Sequence, residues 1–318
     1  LLHRNGSTSH YQQRTRQAPS IGSCTNAGRG AQCSMQQPIW MCPVCKEGLA
    51  RGARVFTCGS HSVDIAREGN VNLVLVQHRH SAAAGDPKDS VRHRRDFLEA
   101  GHYTPLAAAL TDLLTREAPG DILDVGCGEG YYLRQLAAAP ALAEVRLYGV
   151  DVAREAIRLA AKATPRIDYA VGNTHRLPVL PGSVGAVLQV FAPSASEEVR
   201  RVLRHGGLYI EVKPGAQHLE AFRALIYDEA HAHGKVSIPA GFQLERSDRV
   251  TFPLRLRQAG DVACLIEMTP YKWHMNPETY SRVCQLTALE DTADFAVSLY
   301  RPSDREAVIG GQLPPPVR

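Results

Sequence analysis

Three cysteines and a histidine stand in a metal-ligand rhythm: Cys42-x2-Cys45-x12-Cys58-x2-His61. Zinc prefers four tetrahedral nitrogen and sulfur ligands in a structural site, and a CxxC knuckle turns two thiolates inward from one tight turn. The intervening GLARGARVFT is long enough to form a hairpin that sets the second half-site opposite the first. So small a unit buries little apolar surface, and a metal would supply much of its folding energy. Four protein ligands leave no open position, which points to a structural or recognitional Zn2+ rather than a catalytic one. A redox CxxC or coincidental cysteines are the competing reading, which two correctly spaced half-sites weaken.

A second constellation is LDVGCGEGYY, with Asp124, Gly126, Gly128, Glu129 and Gly130 at the end of one strand and the start of a helix. Glycine is needed where backbone turns tightly and approaches a ligand, and a helix start offers free N–H groups. Asp151 ends the next strand, where a carboxylate can accept both hydroxyls of a ribose. A dinucleotide loop reads G-x-G-x-x-G; here the spacing is G-x-G-x-G with an acid two residues ahead. That version resembles motif I of class I S-adenosylmethionine (SAM) methyltransferases, which implies a loop around the methionine moiety and a ribose on Asp151. Further on, Asn173, Thr174 and His175 precede an LP pair and could touch the adenine edge. Gly185 stands where the class usually has Asp, a departure expected to be tolerated. The Phe191-Ala192-Pro193 turn sits at the end of a strand, at the crevice where an acceptor would arrive. Cys127 lies inside the glycine loop, and a nucleophilic role there is not expected.

The elements that must hold these residues alternate from residue 121 onward. DILDV, VRLYGV, IDYAV, VGAVLQV and GLYIEV read as strands; EGYYLRQLAAA, AREAIRLAAKA and EEVRRVL read as helices. That alternation means a mostly parallel sheet covered on both faces. The fold class is therefore α/β: a Rossmann-like class I SAM-dependent methyltransferase domain with a small N-terminal zinc-binding module. The zinc module spans 39–76, a basic linker 77–95 and the methyltransferase domain 96–309, with a tail at 310–318. A helix or helix pair is expected over 96–114, interrupted near Pro105. Helical segments are expected near 216–232 and 278–290, and a late strand, ADFAVSLY, at the sheet edge.

Residues 1–38 contain no Asp or Glu and show no periodicity, which reads as a disordered extension. Met41 stands directly before the first ligand cysteine, so the extension is expected to lie upstream of the natural start. An organellar leader would need an amphipathic pattern that is missing. The net charge of +4 permits nucleic acid without demanding it. No stretch approaches the ~20 apolar residues of a membrane span. Eight cysteines without a secretory apolar region argue against a disulfide framework and for a cytoplasmic protein.

Taken together, CPVC, the C-x2-H, REGNVNLV, VQHRHS, RRDFLEAGHY, LDVGCGEGYY, HRLP, FAP, PGAQHLE, LIYDE and MTPYKW resemble one family. It is the RlmA-type zinc-binding 23S rRNA (guanine-N1)-methyltransferases, and the match runs in order from 41 to about 300. One spacing departs from the family pattern: two residues, not three, separate Cys58 from His61. The resemblance implies methyl transfer to N1 of a guanine in a 23S rRNA hairpin lining the peptide exit tunnel. It implies that Tyr103, Gly128, Glu129 and His218 line the SAM site. The family has two branches modifying neighbouring guanines, and HRLP leans toward the Gram-negative one. On this reading the zinc module stands apart from the catalytic domain and forms one wall of an RNA cleft. Arg79, Lys88, Arg92, Arg94 and Arg95 would add phosphate contacts, and zinc modules could meet across a twofold axis in a homodimer. His175 and Glu129 are candidate general bases for the N1 proton. Two other readings stand beside this one: a small-molecule methyltransferase with a purely structural zinc module, and a non-catalytic RNA-binding protein.

Overall fold

The computed structural model describes residues 39–75, 86–227, 237–258 and 260–303. The readings of 1–38 as an extension and of 310–318 as a tail lie outside the described residues, as does most of the linker around Arg79.

The zinc module is a ribbon of three short antiparallel strands, β1 (Ala50–Arg51), β2 (Val55–Thr57) and β3 (Ser62–Asp64). The β1–β2 hairpin is the one expected between the knuckles. A fourth strand, β4 (Val71–Asn72), leaves the ribbon. Two helices follow, α1 (Lys88–Glu99) and α2 (Thr104–Glu117). The alternating region then runs β5 (Ile122–Val125), α3 (Tyr131–Ala138), β6 (Leu147–Asp151), α4 (Arg154–Ala163) and β7 (Asp168–Val171). It continues with β8 (Val184–Val190), α5 (Ser196–Val202), β9 (Leu203–Pro214) and α6 (Glu220–Ala224). The chain closes with β10 (Phe242–Leu256), α7 (Asp261–Met268), α8 (Pro277–Cys284) and β11 (Leu289–Pro302).

Among the described residues the large sheet has the order β10-β11-β9-β8-β5-β6-β7-β4. Strands β4 to β9 pair in parallel, and β11 runs antiparallel between β9 and β10. Every residue of β5 and β8 is buried, as expected for parallel strands covered on both faces. Strand order reverses at β5, and the crevice at the carboxyl ends of β5 and β8 is where such a sheet binds ligands.

Several expectations need correction. The linker ends at residue 87, because Lys88 to Arg95 form the first turns of α1. Val91, Phe97 and Leu98 bury one side of that helix, and its basic outer face masked the pattern. The expected break near Pro105 is present, between α1 ending at Glu99 and α2 beginning at Thr104, and Pro105 itself stands just inside the second helix. There, in the first turn of α2, a missing N–H costs nothing. Among the described residues, the helix expected near 216–232 is the five residues of α6. That expected over 278–290 ends at Cys284, and Leu289 already belongs to β11. ADFAVSLY is not at the edge: β10 covers it. The mostly exposed, charge-rich FQLERSDRVTFPLRL of β10 lacks the apolar alternation of a half-buried strand.

The largest correction concerns the ribbon, which does not stand apart from the catalytic domain. Strand β4 pairs with β7 through Val71↔Ala170 and Asn72↔Val171, extending the large sheet. Ile39, Trp40, Leu49 and Phe56 share one buried cluster with Leu123, Val150, Ala170 and Val187. The Trp40 ring meets Tyr148 edge-on at 5.9 Å. Backbone N–H groups of Leu180 and Met41 donate to Ile39 and Pro178 carbonyls at 2.8 and 2.9 Å. Ribbon and sheet therefore meet through a packed apolar contact, where a module held apart was expected. Trp40→Ala is expected to cost about 3–5 kcal/mol, the usual range for emptying a buried aromatic site. Chemical denaturation should show one cooperative transition moved to lower denaturant, with no separate early loss of the ribbon.

Candidate functional site

The four ligand atoms of Cys42, Cys45, Cys58 and His61 lie within 4.8 Å of one another. Cys45 Sγ is 3.4 Å from Cys58 Sγ, and Cys58 Sγ is 3.6 Å from His61 Nδ1. Those separations suit the corners of a tetrahedron around Zn2+. The two-residue spacing to His61 is accommodated because the Cys58 N–H donates to the His61 carbonyl across a turn at Gly59. In the first knuckle the Lys46 N–H donates to the Cys42 carbonyl, with Lys46 in the left-handed region. Burial pushes the Cys58 thiol up, but hydrogen bonds from His61 and Cys45 outweigh it and bring the group down to about 6. A thiolate is the ligating form, so the donor set fits structural zinc.

The second site forms where β5 and β6 end side by side. Gly126 and Cys127 both donate their N–H to the Val150 carbonyl, which seats the glycine loop on β6. A side chain at Gly126 would place Cβ 2.2 Å from Ala192 Cβ, so only glycine lets the loop pass the turn after β8. The same logic explains Gly185: a Cβ there would lie 1.7 Å from the Pro119 carbonyl oxygen, leaving no room for the class Asp. Asp151 Oδ2 accepts from Gly128 N–H at 2.9 Å and Oδ1 from Ala153 N–H at 2.8 Å. Burial nevertheless raises the Asp151 carboxyl. Asp124 is 1% exposed, and both its oxygens lack a partner among the described residues. Burial first, and the Asp151 charge second, push it up to about 8. Glu129 is buried as well; Oε2 accepts from Arg134 at 2.8 Å while Oε1 has no partner. The buried Tyr132 hydroxyl is likewise unpartnered.

Four unsatisfied polar atoms around one loop are costly unless a ligand completes them. A cationic and hydroxyl-bearing ligand fits this set, and SAM supplies both kinds of group. Space beside Gly128 is open, with nothing within 4 Å of where a Cβ would stand. Helix α1 closes over the loop: Asp86, Val91 and Arg94 share a narrow cleft with Gly128, Glu129 and Asp151.

The structure brings Asp124, Gly126, Gly128, Glu129, Gly130 and Asp151 to this one place. Asn173, Thr174 and His175 follow Gly172, whose N–H donates to the Asp151 carbonyl at 2.9 Å. They form a turn in which His175 N–H donates to Asn173 Oδ1 at 2.8 Å. Tyr103 and His218 lie in a separate aromatic cluster, their rings 5.0 and 4.7 Å from that of Phe295. Tyr103 is 3% exposed, and burial raises its hydroxyl, so it is a core residue. His218 Nδ1 accepts the Asp294 N–H at 3.2 Å. Arg94 is held by Asp86 at 2.5 Å and by the Met268 carbonyl at 3.2 Å, and it lines the cleft beside Gly128. Lys88 and Arg92 are exposed on α1, and Arg95 is half-buried there. Cys127 is buried and its thiol is pushed well above its ordinary value by burial. The sequence analysis missed Tyr132, Arg134 and Asp294. The YY pair after the glycine loop was the only sequence signal for the first of them.

Residues 40–82 match a family model described as RlmA, N-terminal, and residues 122–207 match one described as a methyltransferase domain. The 23S rRNA (guanine(748)-N(1))-methyltransferase of Streptomyces fradiae is 31% identical over 274 residues, covering 82% of this chain and 96% of that protein. A relative from Micromonospora griseorubida is 34% identical over 294 residues, covering 83% of this chain and 98% of its own length. The chain belongs to the RlmA-type 23S rRNA (guanine-N1)-methyltransferase family. Another relative, from Bacillus subtilis (strain 168), is 26% identical over 273 residues. Among the described residues no helix is long and apolar enough to cross a membrane.

Membership in the RlmA family makes the two sites testable with their own ligands. Chelation, or Cys58→Ser, is expected to remove bound zinc and lower the melting temperature of the whole chain, checked by metal analysis and calorimetry. At Asp124, the raised value means that the carboxyl keeps its proton below about pH 8 when no ligand is bound. A cationic ligand group binds the deprotonated form, so SAM affinity should rise from pH 6 to pH 8, by up to about tenfold per unit. Titration calorimetry should show that rise in the native protein and a flat profile in Asp124→Asn.

Proposed function

We propose that this chain transfers the methyl group of SAM to N1 of one guanine in a 23S rRNA hairpin near the peptide exit tunnel, in the cytoplasm. The observation that carries this reading is the unpartnered Asp124 beside a glycine loop and Asp151, in a chain that spans 96% of the Streptomyces fradiae enzyme. That relative's name gives guanine 748, and the equivalent guanine is the one we assign.

When bound, SAM supplies an activated methyl group. The chain's own residues do the rest by positioning. Asp124 and Glu129 offer buried acceptors to the cationic amino group, and Asp151 keeps lone pairs free for ribose hydroxyls. Asn173, Thr174 and His175 border the adenine side. Tyr103 and His218 back the SAM site as members of the aromatic cluster that also holds Phe295 and Phe191. Glu129 is held by Arg134 and is assigned to the cofactor. His175 follows β7, three strands from β8 in the sheet, or roughly 14 Å. Neither is therefore assigned as the general base. The exposed Lys88 and Arg92 on α1 are suited to phosphate contacts. Transfer is direct, with no covalent enzyme intermediate.

The test is incubation with labelled SAM and unmodified 23S rRNA, followed by reverse transcription. N1-methylguanine blocks pairing, so a single stop at the assigned guanine is expected, and Asp151→Ala should reduce it at least a hundredfold. Label entering a small metabolite and not RNA would favour the small-molecule reading. RNA binding without SAM binding would favour a non-catalytic protein.

A further inference from the structure

Phe191 combines three properties that rarely coincide. It follows β8 directly, its φ is +55°, and its side chain is 44% exposed. A bulky residue in the left-handed region is strained, and such strain persists only where the surroundings over-determine it. Here they do. The Phe191 N–H donates to the Val212 carbonyl at 3.2 Å. Gln189 donates its side-chain amide to the Ala192 carbonyl and accepts from the Ser194 hydroxyl. Tyr209 donates to the same Gln189 oxygen at 2.9 Å. Glycine at 191 would relieve the backbone, and an inward ring would gain burial; the turn does neither. It holds an aromatic ring out at the mouth of the crevice.

The position of that ring narrows its use. Ala192, the next residue, packs against Gly126 of the cofactor loop, so Phe191 stands one residue from the loop. On its inner side the ring lies 5.4 Å from that of Phe295, which also touches Tyr103 and His218. Among the described residues Phe295 is its one ring partner, and much of Phe191 stays exposed. A guanine whose N1 is to be methylated must leave its own pairing and stacking. It then needs a replacement aromatic surface near the methyl group. We infer that Phe191 is the platform on which the target guanine stacks, an inference that rests on the proposed rRNA activity.

The test compares Phe191→Ala, Phe191→Leu and Phe191→Tyr in steady-state methylation of 23S rRNA, with SAM affinity and melting temperature measured alongside. The Ala and Leu variants should both lose about ten- to a hundredfold in kcat/KM for RNA, the usual effect of one base–aromatic stack. Tyr should stay within about threefold of the native protein, because it keeps the ring. SAM affinity and melting temperature should not fall in any variant. Full activity in the Ala variant, or rescue by Leu, would overturn the platform, since apolar bulk without a π face would then suffice. A loss of rate that tracks a loss of SAM affinity or melting temperature would overturn it too. If the native protein binds SAM but leaves 23S rRNA unmethylated, the rRNA reading falls and the platform with it. An active native protein with an indifferent Ala variant removes the platform alone.

Discussion

Two carboxylates buried at the ends of adjacent parallel strands set the terms for the rest of the site. Asp124 on β5 and Asp151 on β6 are both pushed up by burial, and the charge of Asp151 adds to the pressure on Asp124. The fold relieves one of them from inside. Two backbone N–H groups, from Gly128 and Ala153, aim at Asp151, and the loop must curl to deliver the first. That curl is possible only with glycine at 126, pressed against the turn after β8. The other carboxylate is left unpartnered. The loop's spacing and the turn's placement thus answer one electrostatic problem, and the part left unanswered is what the proposed SAM site would complete.

A third buried carboxylate organises the late strands of the sheet. Asp294 of β11 is fully buried, and Arg249, Thr251 and the Gln217 backbone all donate to it. The Arg249 guanidinium, above all, holds it down at about 2 despite its burial. Through this residue the late antiparallel pair β10–β11 is tied to the turn after β9. The backbone N–H of the same residue reaches His218. Strands β10 and β11 therefore fix the turn after β9 and the His218 ring within it.

Local chemistry was legible in the sequence, and long-range packing was not. The zinc half-sites and the glycine loop are short, so spacing alone locates their residues, and Asp151 falls at the end of a strand any period-reading finds. The first turns of helix α1 escaped because its exposed face is dense in Lys, Arg and Asp, which reads as linker composition. Strand β10 escaped because both its faces are largely wet, leaving no alternation to count. The two residues of β4 carry almost no periodic signal, and their pairing with β7 was therefore invisible. The strain at Phe191 is equally silent in sequence, since nothing in FAP distinguishes a left-handed Phe from an extended one.

The pairing of β4 with β7 also orders events in time. All four zinc ligands lie within a stretch of twenty residues, 42–61, and their hairpin closes locally. Val71 must wait for Ala170, which leaves the ribosome about a hundred residues later. A ribbon this small has little interior of its own, and its Trp40 and Leu49 have nowhere to pack until β6 and β7 exist. During synthesis the metal is what gives the N-terminal segment a fixed shape, a preformed edge onto which the nascent sheet can later close.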